Sequence, residues 1–301
     1  MDVSITNVHL DLGAGRRGTD MGSSAMHVAG LVPRLSEIGH RVLDVGSVQV
    51  KSYEAIDHGA DNARFLEEIC GVVGRLADRV AWACEHDRFP LVLGGDHSQA
   101  MGTLAGLARH YRSKQERLGV IWVDAHTDMN TPGSSPTGNI HGMPLAVALG
   151  YGPAELVALN GGAPAILPED VAIIGARDVD AGEAELVKQL GVRVYTMSEV
   201  DERGIAACTR EAIEHVSKHT TGIHLSFDLD GVDPKDAPGV GTPVPGGLSL
   251  RESLLLCELV NRTGRLAGME VVELNPTLDI ENRTGKLGVW LIETALGKTI
   301  L

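Results

Sequence analysis

A chain of 301 residues with 43% apolar and 22% charged residues has the make-up of a globular protein, long enough for one large α/β domain or two small ones. Its net charge of −14 offers no basic face for phosphate, which argues against nucleic acid as a partner. No apolar run reaches the roughly 18 residues of a membrane span, and Met1-Asp-Val-Ser-Ile lacks a basic stretch followed by an apolar one, so a cytoplasmic location is expected.

Residues 3–10 read as a first strand, followed by a Gly-rich loop at 11–18 that matches neither GxGxxG nor GxxxxGK[ST]. A helix is expected at 23–38, a strand at 41–45 and a long amphipathic helix at 61–85, with Leu66, Ile69, Val73 and Leu76 on one face. A buried strand at 90–93 runs into Gly94-Gly-Asp-His-Ser98, and a helix follows at 99–111. After a strand at 120–123 come an acidic stretch and a polar, Gly/Pro-rich loop to Gly142. Strands at 171–174, 192–195, 222–227 and 266–272 then alternate with helices at 181–190, 199–218, 250–260 and 285–296. That alternation predicts a mainly parallel sheet with helices on both faces. No linker, repeat or low-complexity tract interrupts 1–301, so one domain is expected. Cys70, Cys84, Cys208 and Cys257 show no CxxC spacing and read as free thiols.

The chemistry concentrates at strand ends. Asp124, His126 and Asp128 follow the apolar run 118–123 at i, i+2 and i+4. On extended backbone, side chains two apart share a face, so all three are expected to aim at one point. Two carboxylates and an imidazole crowded together repel and desolvate one another unless a cation sits between them. In an open parallel sheet, ligands bind at the carboxyl ends of strands. His97 follows one such end, Asp228 and Asp230 another, and Glu273 a third. Two histidines and four aspartates without thiolate favour Mn, with Mg and Zn less suited. Four carboxylates exceed the need of one ion. The set points to a two-metal hydrolytic site, with ions about 3.5 Å apart and a bridging hydroxide as nucleophile.

Gly94-Gly-Asp-His-Ser98, Asp124-Ala-His-Thr-Asp128 and Ser226-Phe-Asp-Leu-Asp-Gly-Val-Asp-Pro234 resemble the three signatures of the ureohydrolases. Within them, Asn130-Thr-Pro-Gly-Ser-Ser-Pro-Thr-Gly-Asn-Ile-His-Gly142 and Gly175-Ala-Arg-Asp-Val-Asp-Ala-Gly-Glu183 resemble the bacterial-type arginases. The resemblance covers essentially the whole chain. It implies a three-layer α/β/α fold with a central, mainly parallel sheet, as in arginases and deacetylases. It implies hydrolysis of L-arginine to L-ornithine and urea, two Mn2+ ions per subunit, and a homohexamer of two stacked trimers, or a trimer alone.

Carried over residue by residue, it has His97, Asp124, Asp128 and Asp228 hold one ion. Asp124, His126, Asp228 and Asp230 hold the other, with Asp124 and Asp228 bridging. Asp128 also orients the hydroxide, Glu273 meets the guanidinium, and His141 protonates the leaving amine. Asn130, Ser135, Thr137 and Asn139 read the α-carboxylate, Asp180 and Glu183 the α-amino group, and Thr242 lines the pocket. Position 137, often Ser in the family, is Thr here: the hydroxyl survives and a methyl is added.

Two other functions fit these residues less well. Agmatine, a decarboxylated substrate, would leave the Asn130, Thr137 and Asn139 readers unpaired. A catalytically silent binding or structural subunit would lack a ligand, His141 or Glu273, and none is missing. Asp96, Asp178 and Asp233 are expected to support ligands or turns. Arg16 and Arg17 are expected near the rim, and the remaining histidines, His224 among them, on the surface or in the core.

Overall fold

The apolar runs become eight strands in the computed structural model, which describes residues 1–301. They are β1 (Asp2–Val8), β2 (Arg41–Val48), β3 (Phe89–Leu93), β4 (Leu118–Val123), β5 (Val171–Ala176), β6 (Arg193–Thr196), β7 (Gly222–Asp228) and β8 (Leu266–Val272). All pair in parallel, in the order β2-β1-β3-β8-β7-β4-β5-β6. Parallel neighbours need long crossovers, and helices supply them. In chain order these are α1 (Gly22–Val28), α2 (Leu31–Glu37), α3 (Leu66–Glu85), α4 (Ala100–Ser113), α5 (Pro144–Ala148), α6 (Ala154–Ala158), α7 (Ala181–Leu190), α8 (Met197–Arg203), α9 (Ile205–Ser217), α10 (Leu250–Asn261) and α11 (Arg283–Ala295).

Helices α1, α2 and α8 to α11 pack on one face of the sheet, and α3 to α7 on the other, giving three layers. Alternate strand residues feed the two cores. Ile121, Val123, Leu225, Phe227, Met269 and Val271 enter the first core, and Val120 and Trp122 the second. Helix α3 brings Ile69, Val72, Val73, Leu76 and Val80 to that second core, each such side chain contributing about 1.5–3 kcal/mol of transfer free energy. In that layer β7 and β8 break the apolar pattern with His224, Ser226 and Glu270, all buried.

Four expectations change in detail. The helix expected at 23–38 is two helices, because Gly30 adopts φ 88 between α1 and α2. The helix expected at 199–218 divides in the same way at Gly204, φ 78. A helical turn cannot pass through a left-handed residue, and glycine takes that conformation without a Cβ penalty. The helix expected from 61 starts at Leu66, after Phe65 at φ 56. Short helices α5 and α6 occupy a stretch where none was expected. Cys84, Cys208 and Cys257 are buried and Cys70 half-buried, all unpaired. No helix is long and apolar enough to cross a membrane.

Candidate metal centre

β3, β8, β7 and β4 are the four central strands. Being parallel, they end along one edge of the sheet, where crossovers leave a crevice. His97 follows β3, Glu273 follows β8, Asp228 ends β7, and Asp124 follows β4. Segments remote in sequence therefore meet.

The local route differs from the extended run expected at 124–128. The strand stops at Val123, and Asp128 adopts φ 52. The Asp124 carboxylate accepts the His126 amide at 2.7 Å, and the Asp228 carboxylate accepts the Asp230 amide at 2.8 Å. An aspartate that binds the backbone two residues on makes a turn of its own. These turns, rather than strand alternation, gather the side chains. Glu273 shares the left-handed conformation at φ 62, which for a residue with a Cβ costs on the order of 1 kcal/mol or more.

His97 Nδ1 lies 3.1 Å from Asp124 Oδ2, 3.0 Å from Asp128 Oδ2 and 3.1 Å from Asp228 Oδ2. His126 Nδ1 lies 3.3 Å from Asp124 Oδ1 and 3.2 Å from Asp230 Oδ2. Two donor groups result, His97/Asp124/Asp228 and Asp124/His126/Asp230, sharing Asp124 through its two oxygens. His97 Nδ1 is buried and makes no aligned hydrogen bond. A buried imidazole nitrogen facing three carboxylate oxygens is a place for a cation, and the donor set suits a hard or borderline divalent ion.

The electrostatics agree. Burial and the charges of Asp230 and Asp124 push Asp228 well above the usual carboxylate range, and burial with Asp124 lifts Asp128 to about 7. Burial opposes charge on His97 and His126, but their carboxylate neighbours outweigh it and raise both rings well above the ordinary value. Burial likewise opposes the Asp124 charge, yet the two histidines hold its carboxyl below the usual range. The cluster has a strong demand for positive charge, which divalent ions meet in place of protons.

A cavity of about 300 Å³ opens above the donors. His97, His126, Asp128, Asp228 and Asp230 line it at one end. Asn130, Ser135, Thr137, Asn139, His141, Asp180, Glu183 and Thr242 line the rest, and no lysine or arginine does. Glu273 is buried outside the lining. Its Oε1 accepts His141 Nδ1–H at 3.0 Å and the His97 amide at 2.9 Å, while its buried Oε2 has no partner. Burial disfavours charge on His141, but Glu273 outweighs it, helped by Asp96 and Asp128, and lifts the ring to about 9.

The cavity walls differ in how free their polar groups are. Ser135 Oγ accepts the Gly138 amide at 2.9 Å and Thr137 Oγ1 the Asn139 amide at 3.2 Å, so both hydroxyl protons stay available. Asn139 donates to the Ala14 carbonyl at 3.3 Å. Asn130 donates to Asp180 at 2.9 Å and accepts from Ser134 at 3.0 Å. The Glu183 carboxylate is occupied: it accepts the Thr127 hydroxyl at 2.9 Å, the Met129 amide at 3.1 Å and the Asp180 amide at 2.9 Å. Glu183 therefore shapes the wall from the first turn of α7. Thr242 donates to Asp230 at 3.0 Å.

The arginase family model matches residues 1–297. The chain belongs to the arginase family. It is 50% identical to the arginase of Bacillus subtilis (strain 168) over 299 residues, 99% of each chain. The native Bacillus caldovelox arginase crystal structure superposes with a TM-score of 0.96 at 46% identity, covering 100% of this chain and 99% of that one. The Entamoeba histolytica arginase in complex with L-ornithine superposes with a TM-score of 0.91 at 33% identity, over 99% and 98% of the two chains.

Some residues of this arginase-family site escaped the sequence reading. Trp122 stacks on His97 with centroids 4.1 Å apart and donates to Asp124 Oδ2 at 3.0 Å. Arg177 donates to the carbonyls of Asp230 at 2.7 Å and Val244 at 2.6 Å, tying two loops together. Trp122 precedes Asp124 by two residues, as Ser226 precedes Asp228; that spacing was the available signal. Asp96 and Asp233 hold turns by accepting backbone amides. Asp178 is exposed, 4.0 Å from His126 Nε2. Arg16 reaches across the rim to the Gly241 carbonyl at 2.8 Å.

Proposed function

We propose that this chain, acting as one unit over 1–301, hydrolyses L-arginine to L-ornithine and urea with two Mn2+ ions per subunit. The observation that carries the reading is a pair of donor groups sharing Asp124 beneath a cavity with free hydroxyl donors and no lysine or arginine. The relatives are named arginases, and one is described in complex with L-ornithine, the amino-acid product of this reaction.

His97, Asp124, Asp128 and Asp228 would hold one ion, and Asp124, His126, Asp228 and Asp230 the other. When bound, the ions supply the Lewis acidity that makes water a nucleophile near neutral pH. The chain's own groups do the rest. Asp128 accepts a proton-bearing bond from the attacking water and aims it at the guanidinium carbon. Glu273, buried behind His141 with Oε2 unpartnered, supplies the negative charge toward which the planar cation would orient. Glu273 favours the charged ring of His141, which passes its Nε2 proton to the departing δ-nitrogen as the C–N bond breaks. Ser135, Thr137, Asn130 and Asn139 donate to the α-carboxylate, and Asp180 pairs with the α-ammonium. Glu183 keeps Asp180 and the 129–130 segment in register.

The same reading gives a cytoplasmic homohexamer, checked by light scattering of the purified chain. Agmatine would leave the α-carboxylate donors unpaired, at a cost of about 1–3 kcal/mol each where buried. A silent subunit is disfavoured because every ligand is present. Urea release from arginine and agmatine, with metal-stripped and Mn-loaded protein, tests the proposal. No urea from arginine with loaded protein would sink it.

A further inference from the structure

Behind His97, on the side away from the cavity, lies a carboxylate that the reaction above does not use. Glu270 sits mid-strand in β8, in register with Ser226 of β7, and both are fully buried. Four groups donate to it. Ser226 Oγ at 2.9 Å and His224 Nε2 at 3.2 Å reach Oε1; Thr103 Oγ1 at 2.8 Å and Gln99 Nε2 at 3.5 Å reach Oε2. Burial works against its charge, but the His224 and Thr103 bonds keep the carboxyl below its usual range. An aliphatic side chain at this register would fill the layer without a buried charge. The charge therefore asks for a purpose.

We infer that Glu270 is a positioning residue which, acting through Ser226, decides which nitrogen of His97 faces the metal. The inference rests on His97 being a ligand. An ionised carboxylate only accepts, so the single hydroxyl proton of Ser226 goes to Glu270 Oε1. Ser226 Oγ is then left as acceptor toward His97 Nε2, 2.9 Å away. Nε2 therefore keeps its proton toward Ser226, which leaves Nδ1 as the nitrogen able to give its lone pair to a bound ion. Nδ1 is the atom that faces Asp124, Asp128 and Asp228. Trp122 fixes the ring plane by stacking, with only 12° between the rings. His224 donates to Glu270 through Nε2, and its buried Nδ1 has no partner. The network thus holds one negative charge two hydrogen bonds from the metal side of His97. Such partners orient a ligand histidine and raise its basicity.

Equilibrium Mn2+ binding, read by the electron paramagnetic resonance of free Mn2+, tests this without measuring turnover. The unaltered chain should bind two ions. Glu270→Gln, which removes the forced acceptor, should weaken one ion about 10- to 100-fold and leave the other within threefold. Ser226→Ala should do the same, and it carries the test if Glu270→Gln does not fold. Ser226→Thr keeps the hydroxyl and should restore binding. The Ser226→Ala/Glu270→Gln double variant should be no worse than the poorer single one, because both act on one path. Thr103→Val removes a donor to Glu270 outside that path and should leave both ions within threefold. Normal binding of both ions by Glu270→Gln would overturn the inference. So would equal weakening of both ions with a matching loss of thermal stability in metal-free protein. If the unaltered chain bound no Mn2+, the ligand reading itself would fall.

Discussion

The two ends of the cavity are built on opposite principles. At the metal end, Asp124, Asp128, Asp228 and Asp230 are buried at strand ends or in the turns that follow, and they spend their charge on one another and on two histidines. At the other end, Ser135, Thr137 and Asn139 sit on a loop, hydrogen-bonded to nearby backbone. The first end is buried and electrostatically unsatisfied, which is what binding an ion needs. The second is tied to nearby backbone and has hydroxyl protons to spare, which is what reading a small anion needs. Chemistry belongs to the sheet edge, and substrate choice to the loop.

That division can be broken experimentally. The largest effect should come from the shared carboxylate: Asp124→Ala should abolish stoichiometric metal binding and lower kcat by at least about a thousandfold, checked by metal analysis and urea assay. Asp128→Asn should weaken metal binding and turnover together. His141→Ala should lower kcat about 10²- to 10⁴-fold while metal content stays at the unaltered level; metal loss in parallel would remove the proton-donor role. Asp180→Ala should raise KM for arginine about tenfold, through the loss of one charged contact, with kcat and metal content changed far less. Equal effects on arginine and on a substrate without the α-amino group would contradict that assignment.

The last effect is on stability rather than turnover, and it depends on pH. The folded-state pKa of His141 is raised to about 9 by Glu273 against its burial. Its contribution to stability is therefore complete below about 6.5, the ordinary histidine value, and fades as pH rises through about 9. The stability difference between the chain and its His141→Ala variant should shrink by up to about 3 kcal/mol across that window. Denaturant titration of metal-free protein at pH 6.5 and 9.5 measures it, and a widening gap would oppose the pairing.

The two ends also differ in how far they were legible. Strand alternation and apolar runs foretold the parallel sheet and the strand ends that carry His97, Asp124, Asp228 and Glu273. The i, i+2 spacing found the acids, although turns at Asp124 and Asp228 do the gathering that extended backbone was expected to do. Side-chain hydrogen bonds override strand geometry there. Loop residues carry no period, so Asn130, Ser135, Thr137 and Asn139 came only from family resemblance. The occupied carboxylate of Glu183 and the buried position of Glu273 depend on contacts more than 50 residues apart in sequence, which no local pattern encodes. Glu270 left a trace, a charge inside an apolar strand, whose meaning appears only when β7 lies beside it.

The central claim is a two-ion floor beneath an amino-acid-specific wall. Metal content of the Mn-loaded chain, measured on the same sample as urea release from arginine and agmatine, tests both halves at once. Two ions per chain with arginine favoured at least about a hundredfold, the scale set by unpaired donors, is the expected result. A single ion per chain, or equal rates for the two substrates, would contradict it.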